Sequence, residues 1–272
     1  MRRDDLLAAL RVEPGQRPHL DQRDPGARLG AAGKQAGLRK LSSDVERLRA
    51  LHDRLWAEGS RSVLLVLQGL DASGKDGTIS HVFTGVNPQG CRVVSFKQPS
   101  PLELDHDYLW RIHAACPGRG ELGIFNRSHY EDVVTVRVRS LAPKRVWRRR
   151  YRHIREFERL LVDEGTTVVK VFLHLSRDEQ RKRLQERIDN PEKRWKFRLG
   201  DLDDRALWDA YVAAYEDAIF ETSTRRAPWY VVPADHNWVR NLAVGEILLD
   251  VLERLDPKLP AADPGIEGLR VT

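Results

Sequence analysis

The segment around residue 70 has the residue types and the spacing of a phosphate-binding loop. Residues 69–75 read GLDASGK, which fits the pattern G-x-x-x-x-G-K directly after the apolar run SVLLVLQ. Glycines at these places let backbone N–H groups turn towards one anion, and the lysine reaches the outer phosphate oxygens. The alternative is a chance glycine-rich turn. The residues predicted to bind phosphate or nucleotide here are Gly69, Ala72, Ser73, Gly74, Lys75, Asp76, Gly77 and Thr78.

Two acidic residues set this loop apart from the common form. Asp76 follows the lysine where Ser or Thr usually holds Mg²⁺, and the hydroxyl comes only at Thr78. Asp71 lies inside the loop, where a carboxylate beside phosphates is repelled unless a cation lies between them. We therefore predict that Asp71 binds Mg²⁺, directly or through water, and that Mn²⁺ could substitute. The alternative is that Asp71 only caps the following helix.

A second group of polar residues follows the apolar run ELGIF. Asn126 and Arg127 come at the predicted carboxyl end of a strand, where open α/β sheets bind ligands. Arg127 could clamp a phosphate and Asn126 could orient a metal-bound water, with a surface ion pair as the alternative for Arg127. Glu131 and Asp132 are candidate metal ligands or helix caps, and both interpretations stay open. His129 could accept a phosphoryl group, but a structural role is favoured.

Basic residues recur on two predicted helices. Six of the seven arginines from residue 145 to residue 159 recur at three- and four-residue steps, which places them on one helix face, and a second cluster spans residues 181–198. The two runs indicate a track for a long polyanion, although solvated faces are the alternative. Lys97 follows the run CRVVSF and is a further candidate. Residues predicted to bind the polyanion are Lys97, Arg127, Arg145, Arg148, Arg149, Arg152, Arg181 and Arg187.

Alternating apolar runs and amphipathic segments must position these residues. Strand–helix alternation after residue 60 predicts an α/β fold, with a central parallel sheet between helices. A helix is expected from Ser43 or Asp44 to Gly59, and another over residues 103–116. We expect a loosely ordered arm, or a segment draped over the core, over residues 1–40, one domain over 41–256 with a lid around 176–203, and an irregular tail over 257–272.

Composition narrows the class of protein. The chain has 272 residues, and 46 Lys and Arg against 40 Asp and Glu give a net charge of +6. No apolar stretch is long enough to cross a bilayer, and the first residues do not form a secretory signal. Cys91 and Cys116 form no metal or disulfide pattern, which favours a reducing cytoplasm. No nucleic-acid motif is present, and neither a membrane nor a nucleic-acid partner is expected.

Six motifs together resemble the polyphosphate kinase 2 family, from about residue 38 to about residue 255. They occur in the family's order and read GLDASGKDGT, SFKQPS, HDYLWRIH, GIFNRSHYEDV, DNPEKRWKF and APWYVVPADHNWVRNLAV. The resemblance implies a three-layer P-loop kinase fold with a helical lid. It also implies Mg²⁺-dependent, direct transfer of a terminal phosphoryl group between inorganic polyphosphate and adenine or guanine nucleotides. The form FNRSHYED resembles the branch that acts on both nucleoside mono- and diphosphates, and a homo-oligomer is expected.

The resemblance also implies which residues form the centre. They are Asp71, Lys75, Asn126, Arg127, Glu131 and Asp132, and we expect Asp71, Lys75, Arg127 and Asp132 to be catalytic. Because Asn126 stands where other branches carry a second aspartate, the second metal ligand is left open between Glu131 and Asp132. The rival functions are an ATP-dependent nucleotide kinase and a polyanion- or nucleic-acid-binding protein without transfer activity.

Overall fold

A computed structural model describes residues 2–266 and 268–271 and contains a six-stranded sheet with the order β1-β6-β5-β2-β4-β3. β2 lies between β4 and β5. The pairs β2–β4, β2–β5, β3–β4 and β5–β6 are parallel, whereas β1 is antiparallel to β6. The strands are β1 (Arg11–Val12), β2 (Ser62–Gln68), β3 (Cys91–Ser95), β4 (Leu122–Asn126), β5 (Thr166–His174) and β6 (Trp229–Pro233).

Helices cover both faces of the sheet, which confirms the predicted three-layer α/β fold. One face packs against α7 and α10, and the other packs against α1, α2, α3 and α11. The helices are α1 (Arg3–Leu10), α2 (Lys34–Glu58), α3 (Lys75–Val82), α4 (Pro101–Leu104), α5 (Trp110–Ala114), α6 (Thr135–Val138), α7 (Lys144–Asp163), α8 (Arg177–Asp189), α9 (Gly200–Ala206), α10 (Trp208–Thr222) and α11 (Asn237–Leu255). Short 3-10 turns cover Leu20–Gln22, Pro88–Gly90, His129–Asp132 and Arg194–Lys196.

Residues 3–12 form a helix and a short strand that pack on the sheet. Leu6, Leu7 and Leu10 of α1 are buried against the sheet, and β1 adds an edge strand beside β6. The high content of Pro, Gly and charge hides these few apolar anchors in the sequence. Residues 3–12 therefore contribute to the core, and the domain boundary expected at residue 40 stays a prediction.

The helix expected to start at Ser43 or Asp44 begins earlier, at Lys34, and ends at Gly59 as expected. Asp44 does not cap it. Its buried carboxylate accepts from Lys40 one turn earlier, at 3.1 Å. The single helix expected over residues 103–116 is also wrong, because α4 and α5 are separate short helices there. Among the described residues, no helix has the length and apolarity that crossing a membrane would require.

The sheet topology brings the chemical motifs to one edge. The loop after β2, the loop after β4 and the start of α8 after β5 all lie at the carboxyl ends of neighbouring parallel strands. Open α/β sheets bind ligands at this edge, where the connections leave the central strand in opposite directions.

Candidate active site

The loop between β2 and α3 wraps around its own lysine. Gly69 and Gly74 have φ values of +153° and +97°, a backbone conformation that residues with a side chain rarely adopt. A Cβ on Gly69 would also lie only 2.9 Å from the Leu173 carbonyl oxygen. Lys75 is buried, and its Nζ donates to the carbonyl oxygens of Gly69 at 2.7 Å and Leu70 at 3.2 Å. Burial, and then the nearby Arg127, lower the pKa of Lys75 to about 8. This concentrated positive charge suits an incoming phosphate.

Arg127 links the two motifs into one cluster. Its Nη2 donates to Asp71 Oδ1 at 2.5 Å, and its Nη1 lies 3.7 Å from Glu131 Oε2. Its backbone has a φ of +62°, and its N–H donates to the Leu67 carbonyl oxygen at 3.0 Å. A left-handed conformation at a residue with a side chain costs free energy, so the surrounding structure must enforce it. The structure thus brings Asp71, Lys75, Arg127 and Glu131 together as the motifs predict.

Glu131 and Asp132 both line the cleft, but they have different partners. Thr135 Oγ1 donates to Glu131 Oε2 at 2.6 Å. The side-chain amide nitrogen of Gln68 donates to Glu131 Oε1 at 3.1 Å, in the amide orientation that satisfies all of its hydrogen-bond partners. Asp132 instead faces Arg150, with 3.4 Å between Oδ1 and Nη1. Burial raises the pKa of Asp132 to about 6. Among the two candidates for a second metal ligand, Glu131 therefore shares the cluster with Asp71, and Asp132 does not.

The remaining loop residues divide into those that face the cleft and those that do not. Asn126 Nδ2 donates to Asp76 Oδ1 at 2.6 Å, so Asn126 positions an acid of the loop. The Thr78 hydroxyl donates to the Gly74 carbonyl oxygen at 3.2 Å and is buried, and Ser73 is also buried. Residues of the loop that line the cleft are Asp71, Ala72, Gly74, Lys75, Asp76 and Gly77.

A cleft of about 1430 Å³ runs from the loop to residues 193–198 and is lined by many cations. This volume exceeds the ~300–1,000 Å³ of an ordinary small-molecule site. Three residues predicted to bind a polyanion line it, namely Lys97, Arg127 and Arg187. Further basic residues of the lining are Arg111, Arg139, Arg150, Arg183, Lys193, Lys196, Arg198 and Arg240.

The predicted polyanion track on α7 does not lie in this cleft. Arg145, Arg148, Arg149 and Arg152 are exposed, and the cleft lining does not include them. The physical reason is that α7 turns Tyr151, Ile154, Phe157 and Leu161 towards the sheet, which leaves these arginines on its outer surface. Arg181 lies in a separate shallow depression on α8.

Sequence reasoning missed four cleft arginines, Arg111, Arg139, Arg150 and Arg240. Arg111, Arg139 and Arg150 stand alone or within longer basic runs, so no pattern distinguishes them. Arg240 had a usable signal, because it is the only charged residue in α11 before Glu246 and it follows closely after the carboxyl end of a strand.

A buried ionic network supports the loop after β4 from below. Lys170 Nζ donates to Glu158 Oε2 at 2.6 Å and to Tyr130 OH at 3.1 Å, and all three side chains are almost fully buried. His129 is fully buried too, with its Nε2 3.4 Å from Glu158 Oε1. Burial lowers the pKa of His129. This placement agrees with the structural role expected for His129.

A metal ion fits the cluster only together with substrate. Within residues 2–266 and 268–271, no group of three or more His, Cys, Asp or Glu side chains is arranged to hold a metal. Asp71 and Glu131 nevertheless offer hard carboxylate oxygens on either side of one guanidinium. Mg²⁺ is usually bound by one or two carboxylates plus substrate phosphates, so this pair suits it.

Comparison with known proteins identifies the family. The family described as Polyphosphate kinase 2 (PPK2) matches residues 31–260. An AMP/ADP-polyphosphate phosphotransferase of Meiothermus ruber is 58% identical over 97% of this chain and 99% of its own, and an ADP-polyphosphate phosphotransferase of Rhodopseudomonas palustris is 48% identical over 82% of each. The crystal structure of polyphosphate kinase 2 from Arthrobacter aurescens TC1 superposes with a TM-score of 0.92, at 42% identity, over 98% of this chain and 94% of that one. The resemblance seen in the six motifs is confirmed, and the chain belongs to the polyphosphate kinase 2 family.

Proposed function

We propose that this protein transfers the terminal phosphoryl group of inorganic polyphosphate to AMP and to ADP. The observation that carries the proposal is the cationic lining that continues from the phosphate-binding loop to residues 193–198. Polyphosphate carries one negative charge on each internal phosphate, and a chain of charges is held by a row of cations through electrostatics and counterion release. The relative from Meiothermus ruber is named an AMP/ADP-polyphosphate phosphotransferase, which supports the same donor and acceptors.

Asp71 and Glu131 would hold Mg²⁺ in this enzyme. The ion, when bound, neutralises charge on the phosphates between which the phosphoryl group passes. Asp132 stays outside this ligand set, because its carboxylate faces Arg150. Mn²⁺ has similar oxygen ligands and could replace Mg²⁺.

The protein's own residues position the reactants and neutralise charge. Lys75 and the backbone N–H groups of the loop hold phosphates next to the transferring group. Arg127, now paired with Asp71 and Glu131, lies where it can turn to the oxygens of that group. The acceptor phosphate is already an anion, so no strong general base is needed. Residues 176–203 act as a lid that excludes water and limits hydrolysis.

One assay tests the proposal directly. The protein is incubated with AMP or ADP, long-chain polyphosphate and Mg²⁺, without ATP, and the nucleotides are separated by chromatography. We expect new ADP from AMP and new ATP from ADP, and parallel reactions with GMP and GDP define the base preference. No phosphorylated product would refute polyphosphate as the donor, and ADP formed from AMP only when ATP is added would establish the ATP-dependent kinase instead. Salt-sensitive binding of DNA or RNA without any transfer would favour the polyanion-binding protein.

The metal role of Asp71 has its own test. Asp71→Asn keeps the shape of the side chain but removes the charge that would attract Mg²⁺. We expect turnover to fall at least about a hundredfold at saturating Mg²⁺, in line with the loss of an electrostatic anchor at the reacting group. Asp209→Asn, an exposed aspartate in the first turn of α10, is the matched control. A near-normal rate in Asp71→Asn would refute the metal role.

A further inference from the structure

A buried arginine lies against the end of the phosphate-binding loop and has no role in the chemistry described so far. Arg240, in the first turn of α11, is 2% exposed. Its guanidinium packs so closely on Gly74 that a Cβ there would lie 1.8 Å from Nη1. Its Nη2 would also lie 3.0 Å from a Cβ on Gly77. Two glycines therefore give this one cation access to the backbone that follows the loop.

Among the described residues, no carboxylate is paired with Arg240. Its four hydrogen bonds within the described part of the chain all go to neutral oxygens: Asn237 Oδ1 at 2.7 Å, the Ser73 carbonyl at 3.4 Å, and Asn241 Oδ1 at 3.1 Å and 2.9 Å. A guanidinium has five N–H donors, so one on Nη2 is left for another acceptor. Burial, and the neighbouring Arg183, lower the pKa of Arg240 to about 9. Buried charges are ordinarily paired, and this one is repelled by its neighbour.

Arg127 shows how a cation in this cleft is otherwise treated. It lies at the other end of the loop, next to Asp71, and two carboxylates lie within 4 Å of its guanidinium. Glu131 and Asp71 raise the pKa of Arg127, whereas burial lowers it. The effect of the carboxylates is the larger one, so the pKa of Arg127 is raised overall. The two ends of the loop thus differ in one respect: the cation at one end has acidic partners and the cation at the other end has none.

The surroundings of Arg240 also favour an anion. Arg183 is fixed at the same place, because it donates to the carbonyl oxygens of Ala72, Ala234 and Asp235. Its Nε also donates to Glu179 Oε1 at 2.9 Å, so this second guanidinium has a carboxylate partner of its own. α11 begins at Asn237, and His236 before it provides no side-chain cap for the first N–H groups. The positive end of this 19-residue helix therefore adds to the uncompensated charge of Arg240. Arg183, Asn237 and Arg240 all line the cleft that contains the loop.

We propose that Arg240, with Arg183 and Asn237, forms a second phosphate subsite that binds internal phosphates of the polyphosphate chain, beyond those held by residues 69–75. The inference rests on the proposed function, because it assigns part of the donor to particular residues. An anionic oxygen of the chain would compensate the charge of Arg240 and accept the N–H left on Nη2. The two glycines leave room for the guanidinium beside the loop. We expect a donor with few phosphates to end before this subsite and a long chain to reach it.

Two variants test the subsite in different ways. Asn237→Asp places a carboxylate within reach of Arg240 Nη1, so the arginine stays but its charge is compensated. Arg240→Met removes the charge and keeps most of the side-chain volume. Arg254→Gln removes an exposed arginine from the last turn of the same helix and is the matched control. For each protein the KM of long-chain polyphosphate, of inorganic triphosphate and of AMP is measured with kcat and the melting temperature.

We expect both subsite variants to raise the KM of long-chain polyphosphate about tenfold, as loss of a charge-assisted hydrogen bond implies. The KM of triphosphate and of AMP should change less than about twofold. For long-chain polyphosphate, the slope of log KM against the logarithm of the salt concentration should decrease by about one, because one phosphate contact is lost. Asn237→Asp should keep or raise the melting temperature, because it supplies a missing counterion. Loss of affinity without loss of stability is a result that a merely structural arginine would not give.

The outcomes separate the subsite from the proposed function. If the unmodified protein transfers nothing from polyphosphate, the function itself fails. If it does transfer, and Asn237→Asp and Arg240→Met have the KM for long-chain polyphosphate of the unmodified protein, the subsite is refuted. An equal rise for long-chain polyphosphate and triphosphate would also refute it, because the effect would then lie at the loop. Should Arg240→Met not fold, Asn237→Asp alone decides, since it retains the arginine and alters an exposed side chain.

Discussion

Helices α7 and α8 carry similar runs of arginine but present them to different surroundings. On α7, Arg148 and Arg152 are exposed, and Arg152 lies 3.6 Å from Glu156 one turn later. On α8, Arg183 and Arg187 line the cleft. α7 has five buried side chains along the sheet, whereas α8 has only Gln180 and Leu184. α7 packs on the sheet through a mostly apolar face, so most of its arginines face solvent. α8 has few buried side chains, and two of its arginines face the cleft.

The difference follows from where each helix lies relative to the sheet. α8 begins directly after the carboxyl end of β5, which is the edge where the phosphate-binding loop lies. α7 runs back towards the amino end of β5, so most of its length lies beside the body of the sheet. Only Arg150 in its first half reaches the cleft. The strand end from which a helix departs is therefore a better guide to the position of the cleft than the number of charges on the helix.

The largest effect should come from the buried face of α7. Glu158→Ala removes the partner of Lys170 and leaves an uncompensated charge in the core, which costs about 3–5 kcal/mol. Glu156→Ala on the exposed face should change the free energy of unfolding by less than about 0.5 kcal/mol. Chemical denaturation of both variants measures the two values. Similar losses for the two would show that the faces of α7 do not differ in the way described.

A buried cation of the cleft should have the next largest effect. Lys75→Met removes the charge nearest the phosphates, and we expect the rate of polyphosphate-dependent transfer to fall at least about a hundredfold. Lys182→Met on α8 removes the same charge from an exposed position outside the cleft and serves as control. Steady-state rates with AMP as acceptor check the prediction. A fall of less than tenfold in Lys75→Met would contradict the role assigned to the loop.

Much of the fold could be predicted because four of its strands are continuous apolar runs in the sequence. The runs at β2, β4, β5 and β6 are buried on both faces, and the loop motif sits between a run of this kind and a helix. The N-terminal helix could not be predicted in the same way, because only three leucines anchor it within a charged segment. Its order depends on contacts with a sheet that forms from residues far along the chain.

The candidate site divides in a similar manner. Asp71, Lys75, Arg127 and Glu131 could be predicted, since each follows directly from a strand that ends at the same edge. The separation of Glu131 from Asp132 could not, because it depends on Arg150 reaching over from α7. The position of Arg240 before the other charges of α11 is visible in the sequence, but its contact with Gly74 and Gly77 is known only from the structure.

A smaller effect should separate two arginines of α8 itself. Arg187 lines the cleft and lies 3.6 Å from Asp201, whereas Arg181 lies in the shallow depression outside it. We expect Arg187→Gln to raise the KM of polyphosphate about tenfold, as for one charge-assisted contact, and Arg181→Gln to raise it no more than about threefold. The two KM values, measured at the same salt concentration, decide. The reverse order would place the polyphosphate chain on the outer side of α8.

The smallest effect should come from the outer face of α7. Arg148→Gln combined with Arg152→Gln removes two exposed charges at once, and the KM of polyphosphate should rise less than about twofold at physiological salt, because exposed charges away from the chain are screened. Lower salt should enlarge the effect slightly, since long-range attraction then reaches further. If the double variant instead weakened polyphosphate as strongly as Arg187→Gln, a long chain would have to continue from the cleft onto α7. The sequence-based track would then be right, and the contrast between the two helices would be one of distance along the polymer rather than of function.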